Sequence, residues 1–487
     1  MSTVALAIQQ GFSARILLQT EVLDTLLDAG VDVVVLTQDP SAIRHYLDSR
    51  GLSHVAVEQL DDRSYAAQAQ GLSKNLFRRL RAYGIRDRSV DNEFEMALKD
   101  TWRARSPGGL TALLFIWLVT RLMRWIPAFM RLVVALENRL DSPRVHDEFF
   151  ETYRPDALVL TSLGTFDYDH YVIREAHRHG VRVVSFVLSW DNPTINGLGV
   201  NLCDSIIVWS EVMKQELVEL HRLPPETVAV NGVPHYDFYV NGKVEVKTRD
   251  WLGEEFGFDP DKRIIMFAPR SPNTCLDNVD VATIICEAIR DGRLAGDCHL
   301  LTRLHPIYYR RNNGRYLFAD ELAEWDRLLD IYGTSCLSID RPAMIDGDLN
   351  LLMPDSEIPK LATLLRHSEV VVNQFSTLNL EASIYDTPTV NVAFNIWRKR
   401  PTGFKVARYN VHYDEVQTHN QRVVNSGGTS VAHSADELIE QINRYLENAS
   451  LHSDGRKRMV ANECGVNLGR AGRAVGETIL DSVGVRA

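Results

Sequence analysis

The chain lacks the features by which nucleic-acid-binding and disulfide-stabilised proteins are recognised. Its 487 residues contain 53 Lys and Arg against 64 Asp and Glu, which gives a net charge of −11 and a pI near 5.8. Nucleic-acid-binding domains normally show the opposite balance. The six cysteines form no Cys-x-x-Cys pair and lie mostly in apolar or strand-like surroundings. Neither a disulfide framework nor a zinc site is therefore predicted, and we expect a reducing compartment.

Export signals and long apolar runs are also missing. The N-terminus has no basic segment followed by a small-residue cleavage site, so Val4 to Ile8 is interpreted as a first strand and a cytoplasmic location is expected. Leu110 to Leu140 is strongly apolar, but arginines interrupt it. The uninterrupted run, Ala112 to Val119, is too short to span a bilayer.

Two interpretations of Leu110–Leu140 stay open. Aromatic side chains such as Trp117 and Trp125 alternate with arginines such as Arg121 and Arg131, a composition typical of a helix lying at a membrane surface. A helical hairpin buried in the first domain or in a dimer contact, with its arginines reaching solvent, explains the same composition.

Strand-like and helix-like segments alternate along the chain, which predicts parallel sheets covered by helices on both faces. The length fits two domains, and hydrophobic periodicity lapses in the polar stretch Asp237 to Arg249. Strands are expected at Val4–Ile8, Val31–Leu36, Ala157–Thr161, Val181–Leu188, Ser205–Trp209, Arg263–Ala268, His299–Leu304, Glu369–Asn373 and Thr389–Ala393. One helix is predicted from Ala14 to Ala29, and another from Arg470 to Val483.

The most informative segment is Ser189 to Gly197 (SWDNPTING), which follows the apolar run Val181 to Leu188. A β-branched run that stops at a polar loop places that loop at the carboxyl end of a parallel strand, where open α/β sheets bind their ligands. An ordinary turn would use the same residue types. Since other strands also end in polar loops, we interpret Trp190, Asp191 and Asn192 as part of an active site.

Two further loops in the first half are weaker candidates. Gln10 to Arg15, with the single glycine Gly11, joins the first strand to the first helix, where backbone N–H groups favour an anion or a hydroxylated ligand. A plain helix cap is the alternative. Asp167 and Asp169 have the spacing of a metal-binding carboxylate pair, but capping is favoured and no metal is predicted.

Three polar loops follow strands in the second half. Arg303 and His305 are two residues apart on an extended backbone, so their side chains project on the same side and suit the oxygens of one phosphate. The hydroxyls of Ser376 and Thr377 at a helix start can cradle an anion, and Glu381 can reach a ribose. Ordinary helix capping is an alternative explanation for each of these loops when it is considered alone. The candidates for donor binding are Arg270, Ser271, Arg303, His305, Ser376, Thr377 and Glu381.

In this order, the loops between about residues 155 and 395 resemble those of the GT-B sugar-nucleotide transferases. The branch with CDP-glycerol glycerophosphotransferases and surface-polysaccharide transferases is the most similar. It carries Trp-His-Gly-Thr-Pro-Leu-Lys, Gly-x-Pro-Arg-x-Asp, Tyr-Ala-Pro-Thr, Lys-x-His-Pro and Asp-Tyr-Ser-Ser. The corresponding segments here are Trp190–Asn196, Gly232–Asp237, Phe267–Arg270, Arg303–Pro306 and Asn373–Thr377.

The resemblance implies an α/β protein with two Rossmann-like domains facing across a central cleft. Residues 1–240 would form the acceptor domain, with a helical insertion at about 72–147, and residues 241–487 the nucleotide-donor domain. The implied activity is transfer of a sugar from a nucleotide-sugar to a glycan or lipid-linked acceptor in surface polysaccharide or glycolipid synthesis. The expected acceptor-side residues are Gly11, Arg15, Trp190 and Asn192.

The departures from the family pattern define the expected mechanism. The family's histidine base aligns with Asp191, and because a carboxylate can also take the acceptor proton, Asp191 is the predicted catalytic base. This change disfavours glycerol phosphate transfer. Arg270, Arg303, His305 and the Ser376 helix terminus would neutralise the departing nucleoside diphosphate without a metal, and no cofactor is predicted.

Three alternative functions stay open. A UDP-sugar 2-epimerase would share the donor half, and a CDP-alcohol phosphotransferase would cleave the donor at a different bond. A non-catalytic scaffold would dock to a membrane through Leu110–Leu140. The membrane interpretation of that segment predicts a peripheral location on the inner face of the cell membrane.

Overall fold

The chain folds into two compact units. The computed structural model describes residues 2–68, 70–140, 143–162, 169–198, 203–275, 277–312, 314–333, 335–347, 349–396 and 411–485. One unit comprises Met1–His235 together with Val466–Ala487, and the other comprises Tyr236–Gly465.

A parallel sheet of seven strands forms the centre of the first unit, as far as its residues are described. Its spatial order is β3-β2-β1-β4-β5-β6-β7, and Val4 of β1 is in register with Val33 on one side and Ala157 on the other. The strands are β1 (Thr3–Ile8), β2 (Asp32–Thr37), β3 (Ala56–Gln59), β4 (Ala157–Leu160), β5 (Arg182–Phe186), β6 (Ser205–Val208) and β7 (Val228–Val230).

Helices cover this sheet and connect its strands. They are α1 (Gly11–Leu17), α2 (Glu21–Asp28), α3 (Pro40–Ser49), α4 (Asp62–Gln68), α5 (Leu72–Ala82), α6 (Arg88–Arg103), α7 (Pro107–Trp125), α8 (Pro127–Leu140), α9 (Asp147–Tyr153), α10 (Asp169–Arg178), α11 (Asn192–Ile195) and α12 (Glu211–Leu220). A short 3-10 helix, Pro225–Thr227, precedes β7, and another, Pro234–Tyr239, contains the division point of the two units.

The single helix predicted over 14–29 is wrong, because the structure has two helices there. Thr20 separates them: its hydroxyl donates to the Ile16 carbonyl at 2.6 Å and accepts from the Val22 amide at 3.4 Å. A threonine that caps the second helix in this way ends the first, although the apolar periodicity continues through it.

The insertion predicted at about 72–147 corresponds to α5–α8, which lie between β3 and β4 in the chain. One side of these helices forms its own apolar core, which includes Leu80, Ile116, Met123 and Met130. No single helix in the described chain is long and apolar enough to cross a bilayer. Helices α7 and α8 meet those criteria only together, as a pair bent by 119°.

The second unit also contains a parallel sheet, with six strands in its described part and the order β12-β9-β8-β13-β14-β15. The strands of this unit are β8 (Arg263–Phe267), β9 (Cys298–Arg303), the small antiparallel pair β10 (Arg311–Asn312) and β11 (Arg315–Tyr316), β12 (Leu337–Asp340), β13 (Val370–Asn373), β14 (Thr389–Val392) and β15 (Thr429–Ala432).

Its helices are α13 (Arg249–Phe256), α14 (Asn278–Arg290), the 3-10 helix Pro306–Tyr309, α15 (Ala319–Tyr332), α16 (Glu357–His367), α17 (Leu378–Ile384), α18 (His412–Glu415), α19 (Thr418–Asn425), α20 (Ala435–Glu447) and α21 (Ser453–Glu463). The chain then returns to the first unit as α22 (Ala471–Ser482).

Helix α22 belongs to the first unit, whereas the predicted domain limits assigned all of residues 241–487 to the second domain. It packs against α2: a Cβ added at Gly476 would lie 2.6 Å from the Cβ of Thr25. Val475, Ile479 and Leu480 are buried. Amphipathic periodicity predicts that a terminal helix has a buried face, but it does not say which domain covers that face.

The strand order reverses direction once in each sheet, between β1 and β4 in the first and between β8 and β13 in the second. Helices connecting the strands leave a crevice beyond the carboxyl ends at such a switch point, and ligands bind there. The loops after β1, β8 and β13 flank these two points. Residues 163–168, which follow β4, lie outside the described residues.

Sequence patterns identified the central strands, whereas they missed β3, β7, β12 and β15. These four are the edge strands of the two large sheets as described. Central strands such as β4 and β13 are buried at every residue, while β3 and β7 are half-exposed. An edge strand is paired on one side alone, which explains the exposed positions of β3 and β7. Strands β12 (LSID) and β15 (TSVA) are buried at three of four positions, but polar residues interrupt their apolar pattern.

A buried histidine in the second unit leads to a pH prediction. His299 in β9 stacks on Phe258 with ring centroids 4.4 Å apart, and its Nε2 lies 2.9 Å from the Ser338 hydroxyl. Burial lowers its pKa to about 4. Between pH 6.5 and 4 the unfolded chain binds a proton that the folded chain does not, so this histidine lowers the free energy of unfolding by about 1.4 kcal/mol per pH unit.

We expect His299→Gln to remove that titration while keeping a polar group near Ser338. The thermal midpoint of the wild-type protein should fall more steeply from pH 6.5 to 4.5 than that of the variant, and the two slopes should agree above pH 7. Parallel curves throughout would show that His299 binds its proton equally well in the folded state.

Candidate functional site

Three of the predicted polar loops meet at one edge of the second sheet. Arg270 follows β8, His305 follows β9 and Ser376 follows β13, and the sheet order places β8 between β9 and β13. The loops therefore surround the switch point of this sheet, the position where nucleotides bind in open α/β folds.

The structure holds the Arg270 loop in one conformation. The backbone N–H of Arg270 donates to the Asn278 side chain at 3.2 Å, and the Asn278 amide donates to the Arg270 carbonyl at 2.8 Å. The guanidinium forms an ion pair with Asp414, which is buried. Because Asp414 orients the guanidinium, its planar array of donors is prearranged for an oxyanion. Ser271 stabilises the same turn, accepting from the Asn273 amide at 3.3 Å.

His305 supplies a neutral hydrogen-bond donor beside Arg270. Its Nδ1 accepts from the Ile307 amide at 3.1 Å, which assigns the proton of the neutral ring to Nε2. Burial, reinforced by the positive charge of Arg270, lowers the pKa of His305 to about 4. At neutral pH the ring therefore offers an N–H group without adding a second charge.

Three buried asparagines organise the loop after β13. Asn373 accepts from the Ser376 amide at 3.0 Å, and Asn391 accepts from the Phe375 amide at 2.9 Å. Asn379 donates to the Asn391 side chain at 2.9 Å and to the Ser376 carbonyl at 3.0 Å. Phe375 has a φ of 52°, a left-handed conformation that bulky residues rarely adopt. The network holds the loop in this strained form.

The hydroxyl of Ser376 accepts from the Leu378 backbone N–H at 3.1 Å. This contact is the one expected if Ser376 caps the helix, which was the alternative to anion binding. Thr377 makes no side-chain cap bond to α17 in the described structure. The carboxylate of Glu381 accepts a hydrogen bond from the Tyr239 hydroxyl. Binding of a donor by Ser376, Thr377 and Glu381 stays a prediction.

Gln374, which the sequence interpretation did not select, lies two residues before Ser376 in the same loop. It is 2% exposed, and its amide makes no hydrogen bond to a nitrogen or oxygen of the described residues, with the thiol of the buried Cys275 near enough to interact with it. Buried polar groups are normally paired with nitrogen or oxygen, so this amide marks a position for a ligand or an ordered water. Its place directly after a buried strand was the available sequence signal.

Arg303 is the predicted site residue whose contacts argue against its assigned role. It is 7% exposed, and its guanidinium binds Asp340 and, at 2.8 Å, Glu357. Lys360 binds the same two carboxylates at 3.0 and 2.8 Å. Two cations and two anions thus balance inside the second unit. The prediction that Arg303 binds a phosphate has no support from these contacts, and the geometry favours a structural role.

In the first unit, the loop after β5 carries the predicted base. Asp191 is half-buried, and its Oδ1 accepts from the side-chain Nδ2 of Asn192 at 3.3 Å. The side-chain oxygen of Asn192 in turn accepts from the backbone N–H of Ser189 at 3.2 Å. Trp190 is 2% exposed and Asn192 is 5% exposed. These two buried side chains shape the loop, and direct contact with an acceptor stays a prediction for both.

Neighbouring elements fix the position of this loop. Gly197 has a φ of +71°, and a Cβ added there would lie 2.3 Å from the Arg81 carbonyl at the end of α5. The same carbonyl accepts from the Leu198 amide at 2.7 Å. On the other side, Nε2 of the buried His221 donates to the Pro193 carbonyl at 2.7 Å. The helical insertion is thus in direct contact with the Asp191 loop.

The loop after β1 contains a buried cation that has no counter-ion among the described residues. Gly11 begins α1, and Arg15 one turn later is 7% exposed. The Nε of Arg15 has no hydrogen-bond partner, and no carboxylate of the described residues forms an ion pair with it. Arg15 lies close enough to the buried His235 to reinforce the effect of burial, which lowers the pKa of His235 well below its usual value. A buried, unpaired guanidinium is costly, and an anionic ligand would offset that cost.

The carboxylate pair that resembles a metal motif is only partly described, because Asp167 lies outside the described residues. Asp169 is buried and accepts from the side-chain amide of Gln9. His170, also buried, has a pKa well below its usual value, chiefly because of burial. Within the described residues, no group of three or more His, Cys, Asp or Glu is placed to hold a metal ion. Metal independence stays a prediction.

Comparison with a protein-family model supports the predicted resemblance. The family described as CDP-glycerol:poly(glycerophosphate) glycerophosphotransferase matches residues 191–333. This range is under a third of the chain, and it includes Asp191, Arg270 and His305. The resemblance to this branch is thereby confirmed over the matched segment. No curated protein matches the chain.

Solved structures share the fold over the whole length. A UDP-GlcNAc 2-epimerase from Neisseria meningitidis bound to UDP-GlcNAc is 13% identical, with a TM-score of 0.54 over 99% of this chain and 100% of that one. MnaA of S. aureus with UDP is 10% identical, with a TM-score of 0.55 over 100% and 98%. A UDP-GlcNAc 2-epimerase from Methanocaldococcus jannaschii is 10% identical, with a TM-score of 0.51 over 98% and 99%. With its two parallel sheets, the chain has the GT-B type of fold, as predicted.

The contacts of Arg303 lead to a stability prediction. Arg303→Met should lower the free energy of unfolding by about 3–5 kcal/mol, because it leaves two buried carboxylates with Lys360 as their single counter-charge. Arg311→Met is the matched control, since it removes an exposed ion pair with Asp346. It should leave the thermal midpoint nearly unchanged.

Thermal unfolding and calorimetric titration with nucleoside diphosphates would be measured on both variants. A wild-type midpoint combined with weaker nucleotide binding in Arg303→Met would restore the phosphate-binding role and contradict the structural one.

Proposed function

We propose that the protein is a transferase that moves a sugar from a nucleotide-sugar to a glycan or lipid-linked acceptor, in surface polysaccharide or glycolipid synthesis. The observation that carries this proposal is the convergence of the Arg270, His305 and Ser376 loops on the switch point of the second sheet. The family match over residues 191–333 supports a transferase of nucleotide-activated donors.

The donor half would act by stabilising a leaving nucleoside diphosphate. Arg270 supplies a fixed positive charge, and His305 supplies a neutral N–H donor from Nε2. Such prearranged donors stabilise negative charge as it develops on a departing phosphate. Gln374 would hydrogen-bond the donor through its buried amide, and Glu381 would accept from a ribose hydroxyl. This mechanism requires no metal ion.

The first unit would bind and activate the acceptor. Asp191 would take the proton of the attacking hydroxyl, and its position on a loop after a buried strand supports that role. Arg15, with Gly11 at the start of the same helix, would bind an anionic group of the acceptor, because the buried guanidinium has no counter-ion in the described part of the chain. A phosphate next to the acceptor glycan has the required chemistry.

Phosphotransfer from a CDP-alcohol is the second candidate, and the description of the matching family favours it. The two reactions break different bonds. In sugar transfer the acceptor oxygen attacks the sugar carbon and a nucleoside diphosphate leaves. In phosphotransfer the acceptor oxygen attacks the distal phosphorus, the pyrophosphate link breaks and a nucleoside monophosphate leaves.

The proposed location is the cytoplasm, at the membrane surface where lipid-linked acceptors lie. All six cysteines are free thiols, and five of them are buried. Unpaired thiols are typical of a reducing compartment.

The released nucleotide distinguishes the candidates. A panel of UDP-sugars, GDP-sugars and CDP-glycerol would be incubated with the protein and a membrane extract as the acceptor source, and nucleotides would be separated by ion-exchange chromatography. We expect a nucleoside diphosphate whose release requires the acceptor. Release of CMP from CDP-glycerol would establish phosphotransfer, and a changed sugar without an acceptor would establish epimerisation.

The role of Asp191 can be tested by Asp191→Asn, which preserves size and the hydrogen bond from Asn192. Turnover should fall by about 10²- to 10⁴-fold, the usual contribution of a positioned base, whereas donor affinity should change little. Asp32→Asn is the matched control, because it removes the same charge at the exposed amino end of β2. If Asp191→Asn turns over as fast as Asp32→Asn, the base is another group.

A further inference from the structure

Helices α7 and α8 carry apolar side chains on two opposite sides. The inner side, with Leu113, Ile116 and Met130, is buried in the core of the insertion. The outer face, defined here by Leu114, Trp117, Leu118, Trp125, Leu132 and Leu136, is exposed, with side chains between 44% and 62% accessible.

A helix on the surface of a soluble domain normally has one apolar stripe towards the core and polar residues opposite. On α7 the exposed positions 114, 118, 121 and 125 instead follow helical spacing as a second stripe. Singly exposed apolar residues need no explanation, but a continuous apolar face is typical of an interaction surface.

The charge around the outer face indicates its partner. Residues 72–140 contain 13 Lys and Arg against six Asp and Glu, a net charge of +7 in a chain whose total is −11. Arg121 lies 5.3 Å from the Trp117 ring and Arg86 lies 4.6 Å from the Trp125 ring. The cations thus stand beside exposed aromatic side chains, the combination that binds the headgroup region of an anionic bilayer.

A groove continues the apolar surface inward. Between α6 and α7 it encloses about 460 Å³, and its walls include Phe94, Leu98, Leu114 and Trp117, with Arg121 among the lining residues. Leu114 and Trp117 belong to both the groove and the outer face. Arg124, Asp91 and Glu95 also line it, so a hydrocarbon chain that leaves the bilayer would meet apolar walls with charged groups of both signs in this groove.

We propose that the outer face of α7 and α8 docks on an anionic lipid bilayer, with its aromatic and leucine side chains among the headgroups and upper acyl chains. Charge complementarity selects this occupant. The exposed ionisable residues of α7 and α8 are Arg121, Arg131 and Arg139, all cationic. A second copy of the chain would bring these like charges together, whereas an anionic bilayer attracts each of them.

Docking would also fix the position of the Asp191 loop relative to the bilayer. The end of α5 contacts Gly197 and Leu198 through the Arg81 carbonyl, so the insertion that meets the bilayer also fixes the Asp191 loop. This consequence rests on the proposed function, in which the acceptor is lipid-linked. The docking itself does not, because it can be measured without substrates.

Flotation of the full-length protein with vesicles tests the proposal. We expect binding to vesicles of equal parts phosphatidylcholine and phosphatidylglycerol, weak binding to phosphatidylcholine alone, and loss of binding in high salt. The double variant Trp117→Ser/Arg121→Glu should bind at least about tenfold more weakly, since it removes aromatic burial and reverses one charge. Arg121→Glu alone should reduce the salt-sensitive part of the binding to anionic vesicles.

The matched control is Arg327→Glu/Ile331→Ser on α15, because this pair has the same spacing and Ile331 is 68% exposed. It should bind vesicles like the wild type. Thermal midpoints of all variants would be compared, and Leu118→Ser would replace the double variant if that protein does not fold. The proposal is overturned if the wild type does not float with anionic vesicles, if the two double variants bind equally, or if the outer face proves to hold a dimer that the variant dissociates.

Discussion

The reversal of strand order in each sheet is the constraint on which the candidate site depends. Helices cover both faces of a parallel sheet, so its backbone is closed to ligands except at the strand ends. In the second unit β8 lies between β9 and β13, and the loops carrying Arg270, His305 and Ser376 leave the same edge. Residues more than a hundred positions apart in the chain become neighbours for this reason.

Three buried or half-buried arginines differ in how many internal partners neutralise their charge. Arg303 is balanced by Asp340, Glu357 and Lys360, so its charge is used inside the unit. Arg270 is oriented by Asp414 beside a neutral histidine. Arg15 is buried without a counter-ion among the described residues. Since an unpaired buried charge is unfavourable, the arginines with fewer internal partners are the better candidates for anion binding.

The insertion of α5–α8 connects an exposed apolar face with the Asp191 loop within the first unit. Its inner side packs as an ordinary core, its outer face remains apolar and exposed, and the end of α5 contacts the Asp191 loop. The sequence left two interpretations of Leu110–Leu140 open, a helix at a membrane surface and a buried hairpin, and neither describes the segment by itself. The hairpin is buried on one side, and the opposite side has the composition expected at a membrane surface.

The amino-acid sequence by itself determined the fold class, the central strands and the loops that follow them, because long buried strands and polar strand ends are local patterns. It did not determine the edge strands β3, β7, β12 and β15, of which β3 and β7 are half-exposed while β12 and β15 contain polar residues such as Ser338 and Ser430. It also did not place α22 on the first unit, since amphipathicity specifies a buried face and not its partner. Only the tertiary structure shows that Arg303 is paired with carboxylates and that Arg15 has no counter-ion among the described residues, because pairing of charges depends on carboxylates brought from distant parts of the chain.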